Sequence, residues 1–151
     1  MILEGSFVIP AAPERVWDAI WDVPTLASWV SGCTLAERLP GDEERYRVRI
    51  EQKIGLVRAT FDLLMEVLES EAPRRILLKG WGEDSRLASR VSLTTAVTLE
   101  PAEPAATLLR YRHDISVFGK LGALGYPIIQ RKAREVEAEF ARRAIATLTR
   151  S

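Results

Sequence analysis

Residues 56–69 read LVRATFDLLMEVLE, and the way this run is read decides the architecture. Phe61, Leu64, Met65 and Leu68 share one side of a helix, whereas Val57, Ala59, Phe61, Leu63, Met65 and Val67 share one side of a strand. Hydrophobic periodicity alone does not choose between them. The neighbours favour the strand. Upstream, Tyr46, Val48 and Ile50 alternate with Arg45, Arg47 and Arg49. Downstream, alternation returns at Val91, Leu93, Thr95, Val97 and Leu99 and at Leu109, Tyr111, His113, Ile115 and Val117, the period of half-buried strands. The turn signals between these runs, KIGL at 53–56, SEAPR at 70–74, GWGEDS at 80–85 and EPAEPAA at 100–106, leave little room for a helix to pack back. They imply antiparallel hairpins.

Working outward, ILEGSFVIP (2–10) alternates as a first strand. Pro13 then stands where a helix accepts its first residue, ahead of Val16, Trp17, Ile20 and Trp21 at helical spacing. Asp22-Val23-Pro24 restarts the chain into TLASWV (25–30), a second short helix ending at Ser31-Gly32. At the other end, Leu121, Leu124, Ile128, Val136, Phe140, Ala144 and Leu148 trace one broad apolar face. This pattern predicts a long helix beginning after Gly119. The order is a strand, two short helices, about six strands and one long helix, in a single domain over 1–151: an α+β architecture.

Composition excludes several function classes. Lys plus Arg and Asp plus Glu each total 21, so no net charge favours nucleic acid. The basic part is residues 119–151, with seven basic and three acidic side chains. MILEGSF (1–7) has no basic leader, and the longest uncharged run, Val23 to Ala36, is broken by Pro24, Ser28, Ser31 and Gly32. Neither a signal peptide nor a membrane span is expected. Cys33 is the single cysteine and has no internal disulfide partner. The reading is of a cytoplasmic protein, peripheral to the membrane at most.

EGSFVIPAAPERVWDAIWD (4–22), SGC (31–33), KIGLVRATF (53–61) and GKLGALG (119–125), taken with the element order, resemble the carbon monoxide dehydrogenase CoxG family within the START or helix-grip (SRPBCC) superfamily. The resemblance runs nearly end to end. It implies that 56–69 is a strand, and that a curved antiparallel sheet of about seven strands wraps around the long C-terminal helix with a lipophilic cavity between them. It further implies a quinone or other lipid ligand and association with membranes or molybdenum hydroxylases. Two departures lie near the expected cavity mouth: Ser31 where the family often has Pro before Gly-Cys, and the charged WGEDSRLASR (81–90) where relatives tend to carry a glycine-rich loop.

Direct chemistry is sparse. With one His and one Cys a metal site is not expected, and no hydrolase-elbow, P-loop or dinucleotide signature occurs. No cofactor and no catalytic residue are assigned; a Cys33–His113 nucleophile pair is disfavoured because a lone cysteine is more often a small core residue. The expected ligand-binding residues are Trp29, Phe61, Leu63, Met65, Leu78, Leu93, Leu109, Tyr111, His113, Leu121, Leu124 and Ile128. His113 could orient a ligand carbonyl or be a structurally hydrogen-bonded histidine; both readings stay open. Trp29 is read as a gate, whereas Trp17 and Trp21 are read as pinning the first helix to the sheet. Gly122 and Gly125 are expected at the cavity mouth, where a leucine would fill space and spare the fold, with close helix-to-sheet packing by small residues as the alternative, and Pro127 is expected to bend the helix away. Arg45, Arg47 and Arg49 read as a solvated face. Arg131, Lys132, Arg134, Arg142 and Arg143 on the last helix offer a surface for anionic lipid or a redox-enzyme partner, or simply complement the helix dipole.

The preferred function is a carrier or accessory protein for a hydrophobic small molecule. The alternatives are a small cyclase-like or aromatic-processing enzyme using His113 and Tyr111 as acid or base, and a partner-docking or chaperone-like module using the basic helix.

Overall fold

The computed structural model describes residues 1–149. Strand β1 (Ile2–Ile9) leads into helices α1 (Pro13–Trp21) and α2 (Val23–Trp29). Strands β2 (Cys33–Arg38), β3 (Arg45–Ile54), β4 (Val57–Glu71), β5 (Arg75–Asp84), β6 (Ser89–Ala102) and β7 (Ala106–Phe118) follow. A 3₁₀ turn at Gly122–Leu124 precedes helix α3 (Tyr126–Leu148). The seven strands form one sheet in the order β1-β7-β6-β5-β4-β3-β2, with every neighbouring pair antiparallel. The ambiguous run is β4, and its partners fix its register: Val48↔Leu63 and Ile50↔Phe61 along β3, Met65↔Gly80 along β5.

Sequence chemistry marks the helix starts. α1 carries Pro13 in its first turn, and Asp22 accepts from the Thr25 amide at the start of α2. Helix α3 touches β1, at one edge of the sheet, and also β3, next to the other edge. A flat sheet could not reach the helix from both sides, so the sheet is curved around α3.

Packing is concentrated at one end. Ile9, Ala11, Val16, Trp29, Leu99, Leu109, Ala144 and Leu148 form a single buried cluster joining α1, α2, the β1–β7–β6 region and the C-terminal half of α3. Trp29 is 1 % exposed, its ring meets Phe140 edge-on, and its Nε1 donates to Thr147 Oγ1 at 3.0 Å. Trp17 and Ile20 pack against this cluster from α1, and Trp17 stacks edge to face with Trp21.

The C-terminal segment departs from expectation. The helix begins at Tyr126, and Pro127 occupies its first turn, where a missing N–H costs nothing, so it starts the helix and does not bend it. Gly119 has φ +86°, and a Cβ there would collide with the Ala88 carbonyl. It serves the tight exit from β7. A Cβ on Gly122 would lie 2.6 Å from the Val117 carbonyl oxygen, and Gly125 has φ +90° at the start of α3. Close backbone approach and positive φ, not a reserved ligand space, account for these glycines.

Candidate functional site

Away from the packed end, the inner face of the sheet is incompletely covered. Phe61, Met65, Leu78, Leu93 and Ile115 point toward the concave side by their register, yet each remains half-buried. Leu124, in the 3₁₀ turn before α3, is half-buried too. Each keeps part of its surface uncovered, which makes the concave side, between β4–β7 and the N-terminal half of α3, the candidate ligand hollow. Glycine makes room for one of these side chains: Gly80 pairs with both Met65 and Leu93, and the Met65 thioether lies over it where a Cβ would collide with the sulfur.

A polar cluster crosses the hollow from β7 to α3. Tyr111 and His113 are consecutive inward-facing residues whose rings stack at 5.0 Å. Tyr111 fits because it lies opposite Gly5 on β1; any side chain at Gly5 would strike the phenol. Its hydroxyl donates to Glu137 Oε2 on α3 at 2.9 Å. Arg134 Nη1, one helical turn earlier, donates to the same oxygen at 2.9 Å and to the Glu4 carbonyl at 3.0 Å, tying α3 to β1. His113 Nδ1 meets Thr95 Oγ1 at 2.9 Å, and its Nε2 stands 3.8 Å from Glu137 Oε1. That carboxylate oxygen is buried without a hydrogen-bond partner.

The electrostatics follow from this placement. Burial, with donation to Glu137, pushes the Tyr111 hydroxyl up to about 12, so it stays protonated and remains a donor. Burial holds the His113 imidazole below its ordinary value, with the Glu137 charge pulling the other way. With Nε2 turned toward a carboxylate, the ring proton is placed on Nε2, and Nδ1 accepts from the Thr95 hydroxyl. The arrangement can hold and orient one polar group at the end of an otherwise apolar space.

The expected site residues separate into groups. By register Phe61, Met65, Leu78, Leu93, Tyr111 and His113 share the concave face of the sheet, and Leu124 is half-buried in the turn before α3. Leu63 pairs with Gly82 and is buried by the sheet's own packing, and Leu109 belongs to the core cluster. Leu121 is 1 % exposed and its amide donates to Ser89 Oγ at 3.0 Å, closing the turn after β7. Trp29 is not a gate: it is a core residue, buried because α2 packs against α3 there. Ile128, in the first turn of α3, is 38 % exposed and lies beside Gly55 in the β3–β4 turn. Gly122 and Gly125 have backbone roles, as described above.

Sequence reasoning missed Glu137, Arg134 as its partner, and Thr95. One signal was available. Glu137 falls on the stripe Ala133, Glu137, Phe140, Ala144, Leu148, so an acid interrupts the apolar face of α3.

Other candidates recede. Cys33 donates to the Leu35 carbonyl and His113 bonds Thr95, so no hydrogen bond joins the thiol to the imidazole; burial also pushes the Cys33 thiol up, away from the reactive thiolate. Among the described residues no group of three or more His, Cys, Asp and Glu side chains could hold a metal ion. The basic residues of α3 are largely paired: Lys132 with Glu135, Arg134 with Glu137, Arg142 and Arg143 with Glu139. Among the described residues no helix is long and apolar enough to cross a membrane. A hollow of about 630 Å³ lies on the convex face, lined by Leu64, Trp81, Phe118, Arg47, Asp62 and Arg90. It is a trough across one sheet face, opposite the Tyr111–His113–Glu137 cluster, and Asp62 within it already pairs with Arg49.

The family model for CoxG, a carbon monoxide dehydrogenase subunit, matches residues 5–147. The chain belongs to the CoxG family. Solved structures place this CoxG-family chain in the START-like fold. A conserved protein from Geobacillus kaustophilus is similar at 23 % identity and TM-score 0.83, over 98 % of this chain and 95 % of that one. A START superfamily protein from Mycobacterium smegmatis gives 14 % identity and TM-score 0.71, over 97 % and 96 %. The Zhui aromatase/cyclase from Streptomyces sp. R1128 gives 13 % identity and TM-score 0.71, over 98 % and 93 %. At these identities the likeness is one of fold. The comparison with curated proteins gives no match.

Proposed function

We propose that this CoxG-family protein binds a hydrophobic small molecule in the hollow between β4–β7 and the N-terminal half of α3, and acts as a carrier or accessory protein. The observation that carries this reading is the half-burial of Phe61, Met65, Leu78 and Leu93 on the inner face of the sheet. A small domain gains about 25 cal/mol for each Å² of apolar surface removed from water. Leaving large side chains partly wet in its interior forgoes that gain, which a bound apolar molecule would recover. A ligand of lipid or quinone type, with an apolar body and one polar end, matches a greasy hollow ending at Tyr111, His113 and Glu137. The family name supports a role beside a redox enzyme of the carbon monoxide dehydrogenase kind.

The test is uptake of N-phenyl-1-naphthylamine, whose fluorescence rises in apolar surroundings, by the wild type and by Leu93→Trp. The wild type is expected to bind, and the variant, with the hollow filled, to bind at least about tenfold more weakly.

A second reading, an enzyme of cyclase type, is favoured by one observation: the fold of the Zhui aromatase/cyclase is shared, and Tyr111, His113 and Glu137 are hydrogen-bonding groups gathered at one place. Ligand turnover lost on His113→Ala would support that reading over the carrier.

A further inference from the structure

The polar end of the hollow contains an asymmetry. Glu137 Oε2 receives two donors, Tyr111 Oη and Arg134 Nη1, each at 2.9 Å, whereas Oε1 is buried with none. Opposite Oε1, 3.8 Å away, stands His113 Nε2, too far for a hydrogen bond; because it faces a carboxylate, the ring proton is assigned to it, with Nδ1 left to accept from the Thr95 hydroxyl. One acceptor lacking a donor and one donor lacking an acceptor thus face each other across a gap. An oxygen placed about 2.8 Å from both would sit about 2 Å off the line joining them, at the heavy-atom distance of an ordinary hydrogen bond to each.

A group that satisfies both sides must accept from Nε2–H and donate to Oε1. A hydroxyl does this; a ketone or quinone carbonyl accepts from His113 but has nothing to give the carboxylate, and its lone pairs face a negative charge. A ligand carboxylate is worse, since it brings a second anion to Glu137. We propose that this cluster is a hydroxyl-recognition site, so that the protein takes an alcohol, phenol or hydroquinone in preference to the ketone or quinone of the same skeleton. The inference rests on the ligand-binding reading above and adds the oxidation state of the ligand's polar end. Thr95 is a positioning residue here, fixing the orientation of the His113 ring, and Tyr111 and Arg134 hold the far oxygen of Glu137 so that Oε1 stays turned to the histidine.

The experiment uses three probes sharing one apolar body: 4-octylcyclohexanol, 4-octylcyclohexanone and octylcyclohexane. Each displaces N-phenyl-1-naphthylamine from the full chain. The alcohol is expected to displace it at a concentration at least about tenfold lower than the ketone, as for a charge-assisted hydrogen bond made by one and not the other. In Glu137→Gln, whose amide can donate as well as accept, the alcohol-to-ketone ratio is expected to fall to about one or invert. Equal displacement by alcohol and ketone, or a ratio unchanged by Glu137→Gln, overturns the inference while leaving apolar binding intact. Failure of N-phenyl-1-naphthylamine and all three probes to bind overturns the ligand-binding reading and this inference together. Should Glu137→Gln not fold, the wild-type ratio decides, and His113→Phe, which removes the donor, is expected to weaken the alcohol and the ketone alike relative to the hydrocarbon.

Discussion

Glu137 Oε1 on α3 and His113 Nε2 on β7 confront each other at 3.8 Å inside the concave face, each fixed from behind: the carboxylate by Tyr111 and Arg134, the imidazole by Thr95. Removing one partner from such a cluster leaves a buried polar atom unsatisfied, which costs more than a solvent-exposed bond is worth.

Tyr111→Phe removes one of the two donors to Glu137 Oε2 and nothing of the ring's packing over Gly5. The expected loss is about 1–3 kcal/mol in urea unfolding, with unchanged slope. A loss of ligand affinity with no loss of stability would show that the bond orients ligand and does not hold the fold.

Stability should depend on pH through His113. The unfolded histidine binds a proton near pH 6.5, while burial keeps the folded imidazole below that value against the pull of Glu137, and the Arg134 charge acts in the same direction as burial. Between the two values the unfolded state holds more protons, so stability rises with pH across that interval. It is fully present above about pH 6.5 and is lost as pH falls below it. Asp84 acts in a separate window. Burial pushes its carboxyl up, but the Thr60 and Leu87 amides outweigh this and hold it below its ordinary value, so its contribution fades only in more strongly acid solution, below about pH 4. Denaturant unfolding at pH 8 and pH 5 should show a drop in the wild type that is smaller in His113→Gln; equal drops would remove His113 as the cause.

Trp29 belongs to the core and not to a ligand gate, so Trp29→Ala should cost about 3–5 kcal/mol, as for other large-to-small core changes. A variant of near wild-type stability that loses only probe binding would restore the gate.

Gly5→Ala should be destabilising by about 1–3 kcal/mol, since the added methyl meets the Tyr111 phenol and displaces it from Glu137. Gly122→Leu, expected from sequence to fill the cavity mouth and spare the fold, should instead lower the melting temperature, because a side chain there presses on the Val117 carbonyl. Unchanged melting of either variant contradicts the packing described.

Much of the architecture was legible because it is written in periods. The run at 56–69 resolved into β4 once its neighbours were strands linked by tight turns, and Pro13 and Pro24 marked the starts of α1 and α2. The site was legible only in part. Alternation identified Phe61, Met65, Leu93, Tyr111 and His113 as inward-facing, but alternation does not say which end of a curved sheet is sealed by helices. Leu109 and Trp29 therefore lie in the core while Phe61, Met65 and Leu93 stay half-buried on the concave face. The glycines were legible as a cluster but not in their role: Gly119 meets the Ala88 carbonyl and Gly122 the Val117 carbonyl, and Gly119 and Gly125 have positive φ, whereas Gly5 and Gly80, whose missing side chains make room for Tyr111 and Met65, sit in strands where nothing local marks them. Glu137 was masked by the ordinary frequency of acids on helices, although its place between Ala133 and Phe140 on the apolar stripe set it apart.

The central claim is that the space between the arched strands and α3 is apolar, open and fit for a guest. Titration of the purified full chain with N-phenyl-1-naphthylamine, wild type beside Leu93→Trp, tests it most directly. Saturable binding with one site per chain in the wild type, and binding at least about tenfold weaker in a variant that keeps its circular dichroism, is the predicted result. Absence of saturable binding, or equal binding by both proteins, contradicts it.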